Sequence, residues 1–375
     1  MIKTAGDDVM AKIAILGAGN GGSAAAADLT VRGHDVRLYS RSAETLEPIL
    51  KRGGIETSGL LGEQFARIAK VTHDVDETVK NAEIVMLVVP GTGHEYYAKL
   101  LAPLLAEEQI VFLNPGHTGG AFLFAATLKR EGCKKKIKIC ETNSLTYGCR
   151  LTGPAKVTVY LKAKYLLLAC FPGKKIGEAW EKIELLYPAL KPCVHVLETS
   201  LSYLNGILHP PGMVLNTGWI EHTRGDFRYY DEGTTPAVAR VIEKVDRERM
   251  EIMKSLGLTP MSFLDIFFHA GYTTERAYSS GSVFQAFQES EVNKPRKAPP
   301  SLDHRYMDED VGYGIVPMSE IGIIAGVETP VMDSLIQIAS AMKQIDFRKV
   351  GLNLERLGLT GIRKDHLQEF LLDGY

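Results

Sequence analysis

The chain has 375 residues, 45% of them hydrophobic and 23% charged, an ordinary globular composition and enough length for two domains that each bury a core. Lys and Arg total 43 against 45 Asp and Glu, and this balance gives no broad electrostatic reason to bind nucleic acid. The 5 cysteines contain no CxxC pair, no apolar run is long enough to span a membrane and no export signal is visible, so the expectation is a cytoplasmic protein without a metal site.

Residues 1–9 precede the first apolar segment and read as an alternative start or a lead that adds little to the fold. Residues 12–16 (KIAIL) then lead straight into GAGNGG at 17–22 and an Ala-rich helix through Arg32, a strand, turn and helix in sequence. Gly33 closes that helix, DVRLY at 35–39 is a second strand, and Ser42 caps a helix over 43–52. The rhythm continues with apolar runs at 84–89 and 110–113, helices after Gly93 and from Ala121, and a strand at 137–140. Strands alternating with helices imply a parallel sheet buried on both faces, which is why IVMLVV and IVFL are continuously apolar. VTVYL, YLLLACF and CVHVL predict three more strands that finish this sheet. Beyond residue 200 the pattern is helical, notably at 236–256 and 330–342, with Pro-rich breaks at 209–211 and 295–300. The predicted architecture is an α/β Rossmann domain with a doubly wound, mostly parallel sheet over 1–198, followed by an all-α domain over 199–375.

The glycine turn carries the first functional reading. Gly17 permits the sharp turn off the strand, Gly19 lets a pyrophosphate approach the backbone, Gly22 lets the helix pack closely on the sheet, and Asn20 opens the helix whose N–H groups favour an anion. This is a dinucleotide site. An acid that would accept from the adenosine ribose is missing after the second strand, where Ser40 and Arg41 stand instead; an Arg pairs with a 2′-phosphate, which favours NADP(H) over NAD(H). Pro90 and Asn114 begin the loops that leave two further parallel strands on the ligand-binding edge and are candidates for contacts to the cofactor.

A hydride acceptor also needs a proton donor, and His is the side chain best matched to that task near neutral pH. His209 follows Asn205 by one helical turn and precedes a double proline expected to end the helix; on that spacing alone a core or capping histidine is the better reading. Tyr229, Tyr230 and Thr235 lie in a polar aromatic loop that either packs or shapes a pocket.

Several motifs in order strengthen the case: the GxGNGG turn, VVP at 88–90, LNPGxTGG at 113–120, ET-S followed by Cys149 and Arg150, N-x-x-x-H-P at 205–210, R-Y-x-x-E-D-V at 305–311, and DFRKVGLNLERLGLTG at 346–361. Together they resemble the octopine/opine dehydrogenase family over nearly the whole chain. The resemblance implies NAD(P)H-dependent reductive joining of an α-keto acid to the amino group of an amino acid, with His209 as the catalytic histidine, Asp310 as its partner and Arg305 as the clamp on the keto-acid carboxylate. Asn205 joins them as a substrate-side candidate. Asp308 and Glu309 flank the partner acid, so the assignment within this run rests on the resemblance.

The implied partners are small molecules, with neither nucleic acid nor membrane; a homodimer stays open, because helical second domains often dimerise. Two other readings compete: a keto-acid or hydroxy-acid reductase of related architecture, such as the ketopantoate and glycerol-phosphate reductases that rely on a catalytic Lys, and a non-catalytic NAD(P)-binding sensor. A requirement for an amine separates the first, and tolerance of His209→Asn the second.

Overall fold

A computed structural model describes residues 10–375, so the expectation for 1–9 lies outside the described residues. The chain forms two compact units, one built from the chain through Pro115 with Thr127–Val194, the other from Gly116–Ala126 with His195–Tyr375. The sequence boundary at 198/199 therefore differs in two ways: the second unit begins at His195, and it also takes the segment after Pro115. Hydrogen bonds hold that segment in the second unit, from Thr118 N–H to the Tyr313 carbonyl (3.3 Å) and from Gly119 N–H to Ser200 Oγ (3.1 Å).

The strands of the first unit are β1 (Lys12–Leu16), β2 (Asp35–Tyr39), β3 (Gly54–Gly59), β4 (Gln64–Arg67), β5 (Lys70–Thr72), β6 (Ile84–Leu87), β7 (Ile110–Leu113), β8 (Lys138–Thr142), β9 (Tyr147–Gly153), β10 (Lys156–Lys162), β11 (Leu166–Phe171) and β12 (Leu190–Pro192). Its main sheet has the order β12-β11-β8-β7-β6-β1-β2-β5, parallel throughout except where β11 runs antiparallel to β8. Strand order reverses at β1, with β6 on one side and β2 on the other, and ligands bind such sheets at that switch point. The central strands β6 and β7 are buried at every position, as their unbroken apolar sequences require.

Two strand expectations are corrected. VTVYL does form β10, but in a separate sheet of order β4-β3-β10-β9; its solvent-facing alternation, with Tyr160 exposed, suits a sheet covered on one face. CVHVL is not a strand, because Leu190–Pro192 already completes the main sheet and His195 then starts the helix Val196–Ser200.

The second unit is helical, with long helices at Pro236–Ser255 and Pro330–Lys343. Its sequence reading needs one correction. Pro210 and Pro211 do not end the helix, which runs on as Leu204–Leu215. The prolines remove the donors that would reach the Gly206 and Ile207 carbonyls, while the tertiary fold supplies other bonds nearby: the Tyr229 hydroxyl donates to the His209 carbonyl (2.9 Å) and Asn216 Nδ2 to the Gly212 carbonyl (2.8 Å).

Candidate active site

The glycine turn of the first unit is shaped by what a side chain would strike. Gly17 has φ +114, and a Cβ there would lie 2.5 Å from the Val88 carbonyl oxygen; at Gly22 it would lie 1.8 Å from the Gly17 oxygen. Neither position admits another residue without moving backbone. Gly19 is the opposite case, with nothing within 4 Å of a built Cβ, so the turn presents open space above the start of the helix Asn20–Val31. That helix start carries neither a side-chain cap nor an acid in its first turn. Uncapped N–H groups facing open space fit a pyrophosphate, whose charge they would stabilise.

Neighbouring strand ends are locked to this turn: Gly17 N–H donates to the Tyr39 carbonyl (2.8 Å), Val88 N–H to the Leu16 carbonyl (3.0 Å) and Asn114 N–H to the Leu87 carbonyl (2.9 Å). The expected cofactor residues are therefore assembled along one edge, but their side chains differ in availability. Asn20 Oδ1 accepts from Leu151 N–H (2.7 Å), tying β9 to the turn. Asn114 is fully buried; its Nδ2 donates to Thr146 Oγ1 (2.9 Å) and its Oδ1 accepts from Thr146 N–H (3.2 Å), so its side chain is committed within the fold. Pro90 is exposed and starts the turn Gly91–Gly93. Ser40 is buried and accepts from Ser42 N–H (3.2 Å), whereas Arg41 is exposed, with its guanidinium 5.0 Å from the Tyr96 ring centroid and no carboxylate partner among the described residues.

In the second unit, His209 lies at the centre of a buried network. Its Nδ1 is 2.7 Å from Asp310 Oδ2 and its Nε2 is 2.7 Å from the Tyr230 hydroxyl. Asp310 Oδ1 accepts from the Tyr203 hydroxyl (2.7 Å), which in turn accepts from Asn205 Nδ2 (3.3 Å). Tyr306 stacks on the imidazole at 3.5 Å with 16° between planes. Two glycines allow this meeting. After Asp310 the helix Arg305–Asp310 passes through a π turn, Val311–Ile315, and Gly314 there faces Gly206 so closely that a Cβ on either would approach the other's Cα to 3.0 Å or less. Backbone contact one turn from each residue draws His209 and Asp310 together, and π turns recur at such functional positions.

Burial lowers the His209 pKa from its ordinary 6.5, with Asp310 opposing that shift. Burial pushes Asp310 upward, but the bonds from His209 and Tyr203 and the nearby Arg305 charge outweigh it and hold the carboxyl below its ordinary value. The arrangement is thus a carboxylate beside a neutral imidazole: Nδ1–H donates to Asp310, leaving Nε2 to accept from Tyr230 and to take up a proton.

The acidic run 308–310 separates by direction. Asp310 meets His209; Glu309 is paired with Arg305 (Nε 3.1 Å, Nη2 3.3 Å) and with His117 Nε2 (3.2 Å); Asp308 reaches Lys343 (3.2 Å). Arg305 is half exposed, with Nε and Nη2 paired to Glu309. Tyr203 and Tyr306 escaped the sequence reading, and Tyr230 was one of several packing candidates. The available signal was Tyr306 beside Arg305 in the R-Y-x-x-E-D-V segment. Thr235 caps the helix Pro236–Ser255 through Val238 N–H (3.4 Å).

A parallel sheet with an uncapped glycine turn at its switch point, together with a helical unit holding a His–Asp pair, points to the class of NAD(P)-dependent oxidoreductases. Comparison with known proteins narrows this. Residues 192–343 match the family described as NAD/NADP octopine/nopaline dehydrogenase, alpha-helical domain, and residues 12–137 match the NAD-dependent glycerol-3-phosphate dehydrogenase N-terminus. The chain is 36% identical over 351 residues to an opine dehydrogenase of Arthrobacter sp. (strain 1C), covering 93% of this chain and 95% of that protein. The chain belongs to the opine dehydrogenase family, NAD(P)-dependent enzymes acting on CH–NH bonds. Its fold is similar to octopine dehydrogenase solved with NADH and L-arginine (TM-score 0.76, 19% identity, 96% of this chain and 98% of that one). Yersinopine dehydrogenase with NADP+ bound also matches (TM-score 0.72, 16% identity, 97% and 98%). Among the described residues no helix is long and apolar enough to cross a membrane.

Proposed function

We propose that this chain catalyses the NAD(P)H-dependent condensation of an α-keto acid with the amino group of an amino acid, and its reverse, with His209 as the acid–base group. The observation that carries the reading is the buried His209–Asp310 pair at 2.7 Å, an imidazole held in one tautomer by a carboxylate that is itself fixed by Tyr203. The bound nicotinamide supplies the hydride. His209 Nε2 holds the proton that assists loss of water from the condensation adduct, and it takes a proton back in the oxidative direction. Arg305 receives a substrate carboxylate at the donors that Glu309 leaves, and Asn205 serves by positioning Tyr203. The domain division follows the same logic, with cofactor binding in the sheet unit and substrate chemistry in the helical unit that begins at His195 and includes residues 116–126.

NADPH is the favoured cofactor. Ser40 and Arg41 occupy the position where an acid would repel a 2′-phosphate, and Arg41 is exposed and supported on Tyr96. The relatives leave this choice open, one having been solved with NADH and another with NADP+.

The test is oxidation of NADPH or NADH followed at the nicotinamide absorbance, with pyruvate or another small keto acid, with and without a panel of amino acids. Turnover that needs both substrates, runs faster with NADPH and falls by about 10³-fold in His209→Asn is the expected result. Turnover with keto acid alone would replace the reading with a hydroxy-acid dehydrogenase.

A further inference from the structure

The proton on His209 has few ways out. Nδ1 is engaged by Asp310, one ring face is covered by Tyr306, and the residue keeps 2% of its surface exposed. Nε2, the atom that must gain and lose the proton, is in contact with the Tyr230 hydroxyl at 2.7 Å. Tyr230 is itself 6% exposed, stacked on Phe287 at 5.8 Å, and its hydroxyl lies 3.0 Å from that of Tyr306. Tyr306 is the less buried of the two phenols and adjoins Arg305 in the same helix. Two hydroxyls thus lead from the buried nitrogen toward the residue beside the carboxylate clamp.

We infer that Tyr230 and Tyr306 relay the proton between His209 and the substrate, with the Tyr306 hydroxyl as the group that touches the reacting atom. The inference rests on the reading of His209 as the acid–base group. In the dehydration step the Tyr306 O–H bond breaks as its proton passes to the departing hydroxyl of the condensation adduct. The C–O bond breaks with its electron pair leaving in water, and the nitrogen lone pair forms C=N. Tyr306 is reprotonated by Tyr230, and Tyr230 by the Nε2–H of imidazolium His209, which ends neutral. No oxidant or reductant enters. Each phenol gains one proton as it loses another, so neither has to hold charge; this matters because burial, reinforced by neighbouring Tyr306, drives the Tyr230 hydroxyl well above the ordinary phenol value.

The alternative is that Tyr230 merely plugs Nε2. The two ideas predict opposite results for Tyr230→Phe, which keeps the ring and its stacking but removes the oxygen. A relay predicts that Tyr230→Phe and Tyr306→Phe each lower kcat by about 10²-fold, with KM and NAD(P)H affinity within about threefold, and that the double variant is no slower than the worse single one, because both cut one path. A plug predicts unchanged or faster turnover in Tyr230→Phe, which would overturn the inference, as would multiplicative losses in the double variant. Should Tyr230→Phe fail to fold, the intact enzyme still decides: single-turnover rates in mixed H2O and D2O should bow with isotope fraction, since several protons move together, and a straight line would sink the relay. His209→Asn separates the levels. If it alone is inactive while both Phe variants work, only the relay falls; if it is fully active, the underlying reading falls with it.

Discussion

The glycine turn and the His209 cluster solve opposite problems. The turn works by leaving side chains out: Gly17 and Gly22 are fixed by backbone contacts that no Cβ would survive, and Gly19 opens the space in which N–H groups are offered. The cluster works by putting polar side chains in, with an imidazole, a carboxylate and three phenols satisfying one another out of water. A site made of backbone dipoles depends on local shape alone. A site made of buried polar groups depends on every member, because each unpaired group left behind costs its full desolvation. Damage to the cluster should therefore cost far more than damage at the periphery of the dinucleotide site.

Asp310→Asn tests the strong end of that contrast. The variant removes the charge that supports the imidazolium and lets the amide favour the wrong tautomer, so kcat should fall by about 10³–10⁴-fold while NAD(P)H binds as before. The pH dependence sharpens this. Burial already places the His209 pKa below 6.5 and Asp310 partly restores it, so condensation, which uses imidazolium, should decline as pH rises through a value under 6.5. In Asp310→Asn that limb should move to more acidic pH, and an alkaline shift in a pH–rate profile would contradict the assignment. The same depression makes the unfolded chain take up the proton first on acidification. The stability contributed by neutral His209 is therefore complete above 6.5 and lost as pH falls through the folded-state value, which a series of Tm measurements would follow.

Arg305 occupies the middle of the range. Its fork is already half committed to Glu309, so the clamp shares its charge with a structural pair. Arg305→Ala should raise the KM for the keto acid by about 10²-fold, the worth of a charge-assisted pair, with unchanged cofactor affinity. It should also lower Tm, because buried Glu309 loses its ion pair with Arg305. Arg305→Lys restores the charge without the bidentate geometry, and steady-state kinetics should show it recovering stability more fully than KM.

These regions also differed in how far sequence exposes them. The turn is written in consecutive residues, and the flanking strand and helix patterns fix its meaning, so its glycines could be placed without homologues. The cluster is assembled from residues 203–209, 229–230 and 305–310, and nothing in local periodicity says that Asp310 rather than Glu309 faces His209. The resemblance to a family supplied that pairing. Tyr306 stayed hidden because a tyrosine in a helix carries no signal until its neighbour across the fold is known. The double proline misled for a related reason: its local meaning is a helix end, and the bond from Tyr229 to the His209 carbonyl is tertiary. The small sheet was missed because short exposed strands such as Gln64–Arg67 have little apolar pattern to read.

Arg41 gives the smallest expected effect and the most exposed test. Its guanidinium lies 5.0 Å from the Tyr96 ring centroid and the residue is exposed, while Ser40 beside it, just past the end of β2, is buried, so the charge is held in place by the ring rather than by a carboxylate. Stacking orients the fork while leaving its donors for an anion, which is what a 2′-phosphate would need. Because the position is solvated, the gain should lie at the low end for a charge-assisted bond, about tenfold in affinity. Titrating Arg41→Ala with each cofactor should therefore weaken NADPH about tenfold and leave NADH nearly unchanged, with the difference shrinking as salt is raised. Equal weakening of both would mean that Arg41 supports the adenosine they share, and the cofactor preference would then have to come from Ser40 and the backbone around it.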